Sequence, residues 1–398
     1  MTGNPPVRRG VRAVAPALAA VVLVGLGEHV GERFVPVYLL ALGGSVLLPG
    51  LFNGVTQFLS ALYAFGGGWI SHRIGVRRAL VAFSLAAAGG FLVVSLVPAW
   101  PAVFAGSVLF VGWSSLTLPP TMALIARALP SARRTFGVSL HALLRRIPMA
   151  AGPLAGGALI GAFGVVTGMR VAFGVAAALA LLAAVLQHRF IPTDAVRGSG
   201  GGEPVRTAEG PVRLFSAMPA ALRHLLAADI LVRFCEQIPA AYVVVWCVQR
   251  IGAPVTGFQF GLLTAIEMAV ATLIYLPVAA AADRAGKRPF VAVTFGFFTI
   301  FPVVLYHSRS FWPLVAAFAV RGLKEFGEPA RKAMILDLAP ARTRAATFGT
   351  YYLVRDTVVT VSAVAGAWLW EAGPGINLGA ACCCGASGTA WFLWRCRT

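Results

Sequence analysis

The feature that most restricts the fold is a series of apolar runs, separated by short segments rich in glycine, proline and basic residues. Each run is about 20 residues long, and a helix of that length crosses the ~30 Å hydrocarbon core of a bilayer. Because 58% of the residues are hydrophobic and 12% are charged, the chain has more apolar surface than a soluble fold could bury. We therefore predict an all-α, polytopic membrane protein.

An internal repeat divides the chain in two. Two similar basic turns occur at 66–80 and 275–290. At a constant offset of 211 positions, the matching residues are His72 and Asp283, Arg73 and Arg284, Gly75 and Gly286, and Arg77 and Arg288. Several prolines and a Phe-Gly pair recur in the same order at nearly the same offset, which indicates duplicated halves.

The repeat and the apolar runs together predict twelve transmembrane helices in two pseudo-symmetric six-helix halves. The predicted spans are 13–40, 46–70, 79–97, 101–125, 138–163, 171–188, 225–248, 255–281, 289–306, 311–335, 347–370 and 376–394. A polar, glycine-rich segment interrupts the apolar runs between the halves. The predicted domains are 1–189, a cytoplasmic linker at 190–223, and 224–398.

The basic residues predict the orientation. Of the 33 Lys and Arg residues, 21 fall in the termini and the loops on their side, whereas the opposite loops hold 3. The positive-inside rule then places both termini and the linker in the cytoplasm, with the protein in the inner or plasma membrane. The net charge of +19 forms a rim facing anionic lipid headgroups, which argues against a nucleic-acid partner.

The spans themselves contain seventeen charged residues. A charge at the bilayer centre costs at least ~2.5 to 3.5 kcal/mol, so these residues need a reason to be there. Every third helix is uncharged, which predicts lipid-facing supports around a water-accessible cavity between the halves. The alternative is that the charges form ion pairs which only hold helices together. The predicted substrate or proton pathway comprises Glu28, Glu32, Arg33, Arg146, Arg233, Glu236, Glu267, Glu325, Glu328, Arg331, Arg355 and Asp356.

The tenth span is the most highly charged. Helical spacing predicts that Arg321 meets Glu325, and that Glu328 meets Lys324, Arg331 and Lys332, which makes Glu328 a structural clamp. Gly327 and Pro329 loosen the backbone between these groups, and Pro36, Pro148, Pro153 and Pro239 are expected to interrupt other spans.

Glu267 is the contrary case, because its own helix offers it no base. We predict that Glu267 and Glu32 carry protons; the alternative for Glu267 is a base on the fifth or eleventh span. Glu28 lies on the same helical face as Glu32 and repels it.

Motifs for catalysis, cofactors or metals are missing from the sequence. The six cysteines form no CxxC pair, no HExxH occurs, and no phosphate-binding loop is present. We therefore expect no enzymatic activity, no cofactor and no metal site, with energy supplied by a gradient.

The two turns and the duplicated halves resemble those of the major facilitator superfamily. Its G-x-x-x-D-R-x-G-R-R turn is matched in the first copy by Gly68, Arg73, Gly75 and Arg77, with His72 in place of Asp. The second copy matches at Asp283, Arg284, Gly286 and Arg288, with Ala279 in place of the first Gly. The resemblance implies a gating role for these turns, and we expect Asp283 to matter more than His72 because an acid is the stronger partner for a base or a helix N-terminus.

A second motif refines the resemblance. Gly152, Pro153, Gly156 and Gly157 look like the G-P-x-x-G-G motif associated with proton-coupled exporters, although such small residues also serve close helix packing. The resemblance implies a monomeric, proton-coupled exporter of small amphipathic molecules that works by alternating access. The alternatives are an importer of a sugar, metabolite or organic anion, or the membrane subunit of another transport system.

Overall fold

The computed structural model describes residues 5–114, 116–118, 121, 131–191, 211–340 and 343–396. Within these ranges it leaves out the side chains at 5–17, 61, 64–69, 72, 131–140, 142–143, 211, 276, 279–280, 283 and 345. Gly68 and the side chains of His72 and Asp283 therefore lie outside the described set, as does the comparison between His72 and Asp283.

The first compact unit comprises residues 1–44 and 59–201. Its helices are α1 (Pro5–Glu32), α2 (Val35–Ala41), α4 (Val76–Leu96), α5 (Trp100–Phe110), α6 (Ser131–Phe163) and α7 (Val165–Phe190), together with the later part of α3 (Leu48–Ile74). Helix α1 packs on α6 and α7, and α4 packs on α5 and α7. Apolar side chains from these helices, such as Phe91, Phe110 and Phe173, stack in the core.

The second unit comprises residues 45–58 and 202–398. Its helices are α8 (Pro211–Ser216), α9 (Ala220–Ala240), α10 (Val243–Val245), α11 (Gly257–Ala285), α12 (Lys287–His307), α13 (Phe311–Leu323), α14 (Glu328–Leu338), α15 (Arg344–Ala372) and α16 (Pro374–Arg395). Helix α9 packs on α15 and α16, and α12 packs on α13 and α16. These pairings repeat those of α1 and α4 in the first unit, which confirms the predicted pseudo-symmetry.

Two glycines shape the predicted basic turns. Gly75 separates α3 from α4 with φ of 88° and ψ of 149°, and Gly286 separates α11 from α12 with φ of 87° and ψ of 152°. Only glycine adopts this region without steric cost. A second pair, Gly164 and Gly373, also has positive φ and joins the last two helices of each half. The tight helix-to-helix turns are therefore confirmed in both halves.

The predicted interruptions at prolines are only partly right. The chain breaks between α1 and α2 just before Pro36, bends by 44° after Pro239, and breaks between α13 and α14 just before Pro329. In contrast, Pro148 and Pro153 lie inside the continuous helix α6. The ring of Pro148 faces Gly25 of α1, and such packing allows a membrane helix to continue through a proline.

Eleven of the twelve predicted spans each coincide with a helix, or with helices separated by a short break, in the described ranges; of the fourth, 101–125, the structure describes α5 (Trp100–Phe110) and a few residues after it. By length and composition alone, six of the described helices could cross a membrane: α4, α7, α11, α12, α15 and α16. The bent segment Ala220–Arg250 makes a seventh. Helices α4, α7, α12 and α16, which contain the uncharged predicted spans, expose large apolar side chains, as lipid-facing helices should.

Candidate functional site

Asp229 on α9 is the centre of a buried ion-pair network in the second unit. Its carboxylate pairs with Arg331 of α14, and both side chains are 1% exposed. The hydroxyl of Tyr351 donates to the same carboxylate oxygen at 3.0 Å, and Arg355 of α15 lies 3.5 Å from it. Helix α9 is thus joined at one carboxylate to α14 and α15, which lie far from it in the sequence.

The network continues along α9 to Arg233. Its guanidinium lies 2.7 Å from Glu236 and 3.3 Å from Glu328. Glu328 in turn accepts two hydrogen bonds, of 2.7 and 2.8 Å, from one nitrogen of Arg331 and a third from Arg331 Nε. Lys332 reaches Glu328 from a more exposed position, at 3.4 Å. Such multiple contacts with a planar guanidinium hold Glu328 more firmly than a single contact could.

A third part of the network lies where α13 ends. Lys324 is the first residue after α13, and its ammonium lies 2.6 Å from Glu236 and 3.8 Å from Glu267. Arg321, in the last turn of α13, lies 3.4 Å from Glu267, which is fully buried. The bend between α13 and α14 thus presents two bases to acids on α9 and α11.

This geometry corrects several predicted pairs. Glu267 is not remote from bases, because Arg321 and Lys324 reach it from the tenth span. The alternative, a base from the fifth or eleventh span, stays a prediction. Arg321 is directed to Glu267 and not to Glu325, and Lys324 is directed to Glu236 and Glu267 and not to Glu328. The helix breaks at 324–327, so helical spacing across this segment does not apply. Only the contacts of Glu328 with Arg331 and Lys332 are as predicted.

Aromatic rings cover one side of the network. Arg233 and Lys324 lie 5.2 and 5.9 Å from the ring centre of Phe298, and Arg321 lies 5.3 Å from that of Phe301. Such cation–π contacts attract each cation to the face of a ring. A pocket lies here, lined by Glu236, Val243, Phe297, Phe298, Phe301, Arg321 and Lys324.

The polar groups of α1 in the first unit have different partners. Glu28 accepts a hydrogen bond of 2.6 Å from Ser114, and Glu32 pairs with His29. Among the residues that the structure describes, no Lys or Arg forms an ion pair with either acid. We call Glu28, His29 and Glu32 the α1 cluster.

The glycine motif of α6 packs directly against the α1 cluster. A side chain at Gly152 would collide with the backbone of His29, and one at Gly156 would collide with the carbonyl oxygen of Val30. The repeat reproduces this contact, because a side chain at Gly366 of α15 would collide with the carbonyl oxygen of Ile238 in α9. Gly156 and Gly366 are 210 positions apart, so close helix packing accounts for this glycine in both halves.

The remaining predicted residues lie outside these contacts or at their rim. Asp356 is 46% exposed and is paired with Arg355 at 2.7 Å. Glu325 lies in the break between α13 and α14, and Arg33 follows α1. In the turns, Arg288 donates to the carbonyl oxygen of Leu393 at 2.9 Å, and Arg77 lies 3.3 Å from the ring of His188. Both arginines thus meet the end of the last helix in their own half.

Sequence reasoning missed several members of the network. Asp229 is absent from the predicted site, although 229, 233 and 236 share one face of α9. That spacing could have placed Asp229 in the same site as Arg233 and Glu236. Arg321, Lys324, Tyr351, His29 and Ser114 were also not included. The partners of all but His29, which pairs with Glu32 of its own helix, lie on other helices.

A family model described as Major Facilitator Superfamily matches residues 15–258, more than half of the chain. The chain belongs to the Major Facilitator Superfamily. It is therefore a multi-pass membrane transporter. A search of curated proteins by sequence found no match.

Solved structures of major facilitator transporters share the fold across the whole chain. A variant of the nucleoside transporter NupG aligns with a TM-score of 0.80 at 12% identity, covering 96% of this chain and 100% of that one. A variant of the peptide transporter POT aligns at 0.76 and 15% identity, covering 99% and 98%.

A bacterial homolog of the human lysosomal transporter Spinster, inward-facing and unoccupied, aligns at 0.70 and 14% identity, covering 98% and 95%. At these identities the similarity to each of these structures concerns the fold.

Proposed function

We propose that this transporter is a proton-coupled exporter of small amphipathic molecules that works by alternating access. The observation that carries the proposal is the α1 cluster, where two acids meet a hydroxyl and an imidazole instead of permanently charged bases. The motif glycines of α6 bring a second helix against this cluster.

The partners decide which acids can exchange protons. Protonating an acid paired with Arg or Lys leaves that base buried without compensation, which is strongly unfavourable. Protonating Glu28 leaves a neutral Ser114, and Glu32 can exchange its proton together with His29, which itself titrates near neutral pH in water. We therefore keep Glu32 as a proposed proton carrier, add Glu28, and assign Glu267 to the structural network.

Transport in proteoliposomes with and without a pH gradient tests the proton coupling. We expect Glu28→Gln and Glu32→Gln to abolish gradient-driven accumulation while retaining exchange of labelled for unlabelled substrate across the membrane. Glu371→Gln is the matched control, because Glu371 is an exposed acid at the end of α15. Gradient-driven accumulation by both α1 variants at the wild-type level would refute the assignment.

The direction of transport depends on the orientation in the membrane. We propose cytoplasmic termini in the inner or plasma membrane, based on the distribution of basic residues. A single cysteine introduced into the linker at 190–223 should resist labelling by a membrane-impermeant reagent in intact cells. Efficient labelling from outside would reverse the orientation.

An importer of a metabolite or organic anion is the second candidate. The observation in its favour is the base-rich network of the second unit, since Arg233, Lys324 and Arg355 are each partly exposed. Uptake by right-side-out vesicles, compared with inverted vesicles under the same gradient, separates the two candidates. Accumulation only in inverted vesicles supports export.

A further inference from the structure

Three arginines of the second unit lie where helices leave the hydrocarbon. Arg223 comes just before the seventh predicted span, Arg288 just before the ninth and Arg395 just after the twelfth. Residues at such positions lie at the level of the lipid headgroups, where arginine and tryptophan side chains meet the boundary between lipid and water. The three arginines are therefore within reach of lipid phosphates.

Contacts between side chains bring these helix ends together. Arg288, at the start of α12, donates a hydrogen bond of 2.9 Å to the carbonyl oxygen of Leu393 in the last turn of α16. At the start of α9, the ring of His224, the residue after Arg223, lies 5.8 Å from that of Trp391 in α16. The starts of α9 and α12 thus lie beside the end of α16. We define the α16 corner as Arg223, Arg288, Trp391, Trp394 and Arg395.

The positive charge of the α16 corner is not compensated by nearby acids. Among the side chains that the structure describes, no acid forms an ion pair with Arg223, Arg288 or Arg395. The neighbouring Lys287, in contrast, is paired with Asp337. Arg288 Nε is also buried without an acceptor in the described part of the chain. Three positive charges and a donor without an acceptor favour an anion at this position.

The side chain of Arg395 is held with its N–H groups available. Its Cζ lies 4.1 Å from the ring centre of Trp394 and 5.7 Å from that of Trp391. A guanidinium that stacks by its face keeps the N–H groups in its plane free, and these groups match the oxygen atoms of a phosphate in pairs. The two tryptophans therefore orient Arg395 for an anion.

The surface beside the α16 corner favours a lipid over a soluble anion. Leu393 and Trp394 are 48% and 58% exposed next to the arginines. Towards the start of α16, the lipid-facing surface consists of small exposed residues: Ala390, Ser387, Cys383 and Gly379. The corresponding helix of the first unit, α7, exposes large residues instead, among them Val175, Leu182 and Val185. An acyl chain fits along the small residues of α16, directly below the arginines.

We propose that the α16 corner binds an anionic phospholipid, with its phosphate on Arg288 and Arg395 and an acyl chain along the small residues of α16. The ligand class is a glycerophospholipid whose headgroup has a net negative charge, such as phosphatidylglycerol, and Arg223 adds to the attraction. The inference requires that the chain spans a membrane, but it is independent of proton coupling and of the direction of transport.

Quenching of tryptophan fluorescence tests the choice of lipid. The full-length protein is placed in phosphatidylcholine bilayers that contain increasing fractions of phosphatidylglycerol with brominated acyl chains, or of equally brominated phosphatidylcholine. We expect phosphatidylglycerol to bind at least about 5-fold more tightly. The additional quenching should disappear in Trp394→Phe but remain in Trp312→Phe, the control, because Trp312 is 77% exposed at the start of α13. Equal quenching by the two lipids overturns the proposal.

Arginine variants locate the headgroup. Arg288→Gln and Arg395→Gln should each weaken the binding of phosphatidylglycerol about 5-fold, and Arg223→Gln should weaken it less. Arg250→Gln is the control, since Arg250 is an exposed arginine outside the α16 corner. If Arg288→Gln does not fold, Arg395→Gln decides, because Arg395 is exposed. A loss of binding in Arg250→Gln as large as in Arg395→Gln would indicate general surface charge and overturn the site.

Two further measurements separate a lipid from a soluble anion. Ala390→Leu should weaken the binding of phosphatidylglycerol by filling the path of the acyl chain, whereas Ala178→Leu, at an exposed position of α7, should have no effect. Inorganic phosphate, added at constant ionic strength, should leave the preference for phosphatidylglycerol in place. If inorganic phosphate removes that preference and Ala390→Leu has no effect, the site binds a soluble anion and the proposal is wrong.

Discussion

The α1 cluster and the network around Asp229 both include the first predicted span of their half, but the acids in them have different partners. In the first unit, Glu28 and Glu32 meet Ser114 and His29. In the second unit, Asp229, Glu236, Glu267 and Glu328 meet arginines and lysines. An acid facing a permanent cation is held in its ionised form, whereas an acid facing a hydroxyl or an imidazole can change its charge.

The two halves therefore share the packing of their helices but differ in their buried charges. The Gly156 contact with Val30 recurs as the Gly366 contact with Ile238, and the Gly75 turn recurs as the Gly286 turn. Charge is distributed unequally on this common framework. We accordingly propose proton exchange in the first unit and a structural role for the ion-pair network of the second.

Breaking the network should have the largest effect on stability. Removing one member of a buried ion pair costs about 3–5 kcal/mol, so we expect this loss of unfolding free energy for Arg331→Met or Asp229→Leu. The double variant should recover part of that loss. Glu28→Gln should cost about 1 kcal/mol, because its amide can still accept from Ser114.

Unfolding in detergent, titrated with denaturant, measures these differences. Asp356→Asn is the control within the second unit, since its side chain is 46% exposed. Equal destabilisation by Glu28→Gln and Arg331→Met would remove the contrast between the two clusters.

Substitutions at the two basic turns should reduce stability equally, because the two halves share the same turn geometry. Gly75→Ala and Gly286→Ala place a side chain at a φ of 88° and 87°, and we expect each to cost about 1–3 kcal/mol. Gly89→Ala and Gly296→Ala are matched controls, because nothing lies within 4 Å of a side chain added there. Both controls should stabilise slightly, as alanine favours a helix over glycine. Thermal unfolding of the four variants checks the pairing, and a large effect in only one half would contradict it.

The packing of the first helix of each half should also be equivalent. Gly156→Ala and Gly366→Ala each force a backbone to move, and we expect each to cost about 1–3 kcal/mol, less than breaking the network. Gly161→Ala, where nothing lies within 4 Å, should be neutral or stabilising. If Gly366→Ala is tolerated while Gly156→Ala unfolds the protein, the α6 motif has a role beyond the shared packing.

The smallest expected effect concerns the arginines at the turns. Arg288→Ala removes a charge from the C-terminal end of α16, which should cost about 0.3–1 kcal/mol. Arg77→Ala should cost less, because its partner is the imidazole of His188. Thermal unfolding at low ionic strength measures both. If Arg77→Ala lowers the stability more than Arg288→Ala does, the contact of Arg77 with His188 is stronger than that of Arg288 with Leu393.

Much of the fold could be predicted from local sequence. Apolar runs predicted the spans, the basic turns with Gly75 and Gly286 predicted the helix reversals, and Gly327 with Pro329 predicted the break in the tenth span. Each of these depends on interactions within about one helical turn, where residue type and spacing are sufficient. The family followed from the same local features arranged twice along the chain.

The ion pairs could not be predicted in this way. Arg321, in the last turn of α13, and Lys324, just after it, reach Glu267 of α11 and Glu236 of α9, which lie far from them in the sequence. Asp229 and Arg331 are 102 positions apart, and their contact depends on how α9, α14 and α15 pack together. Periodicity places a charge on a face of a helix, but only the packing of helices distant in sequence decides which opposite charge it meets.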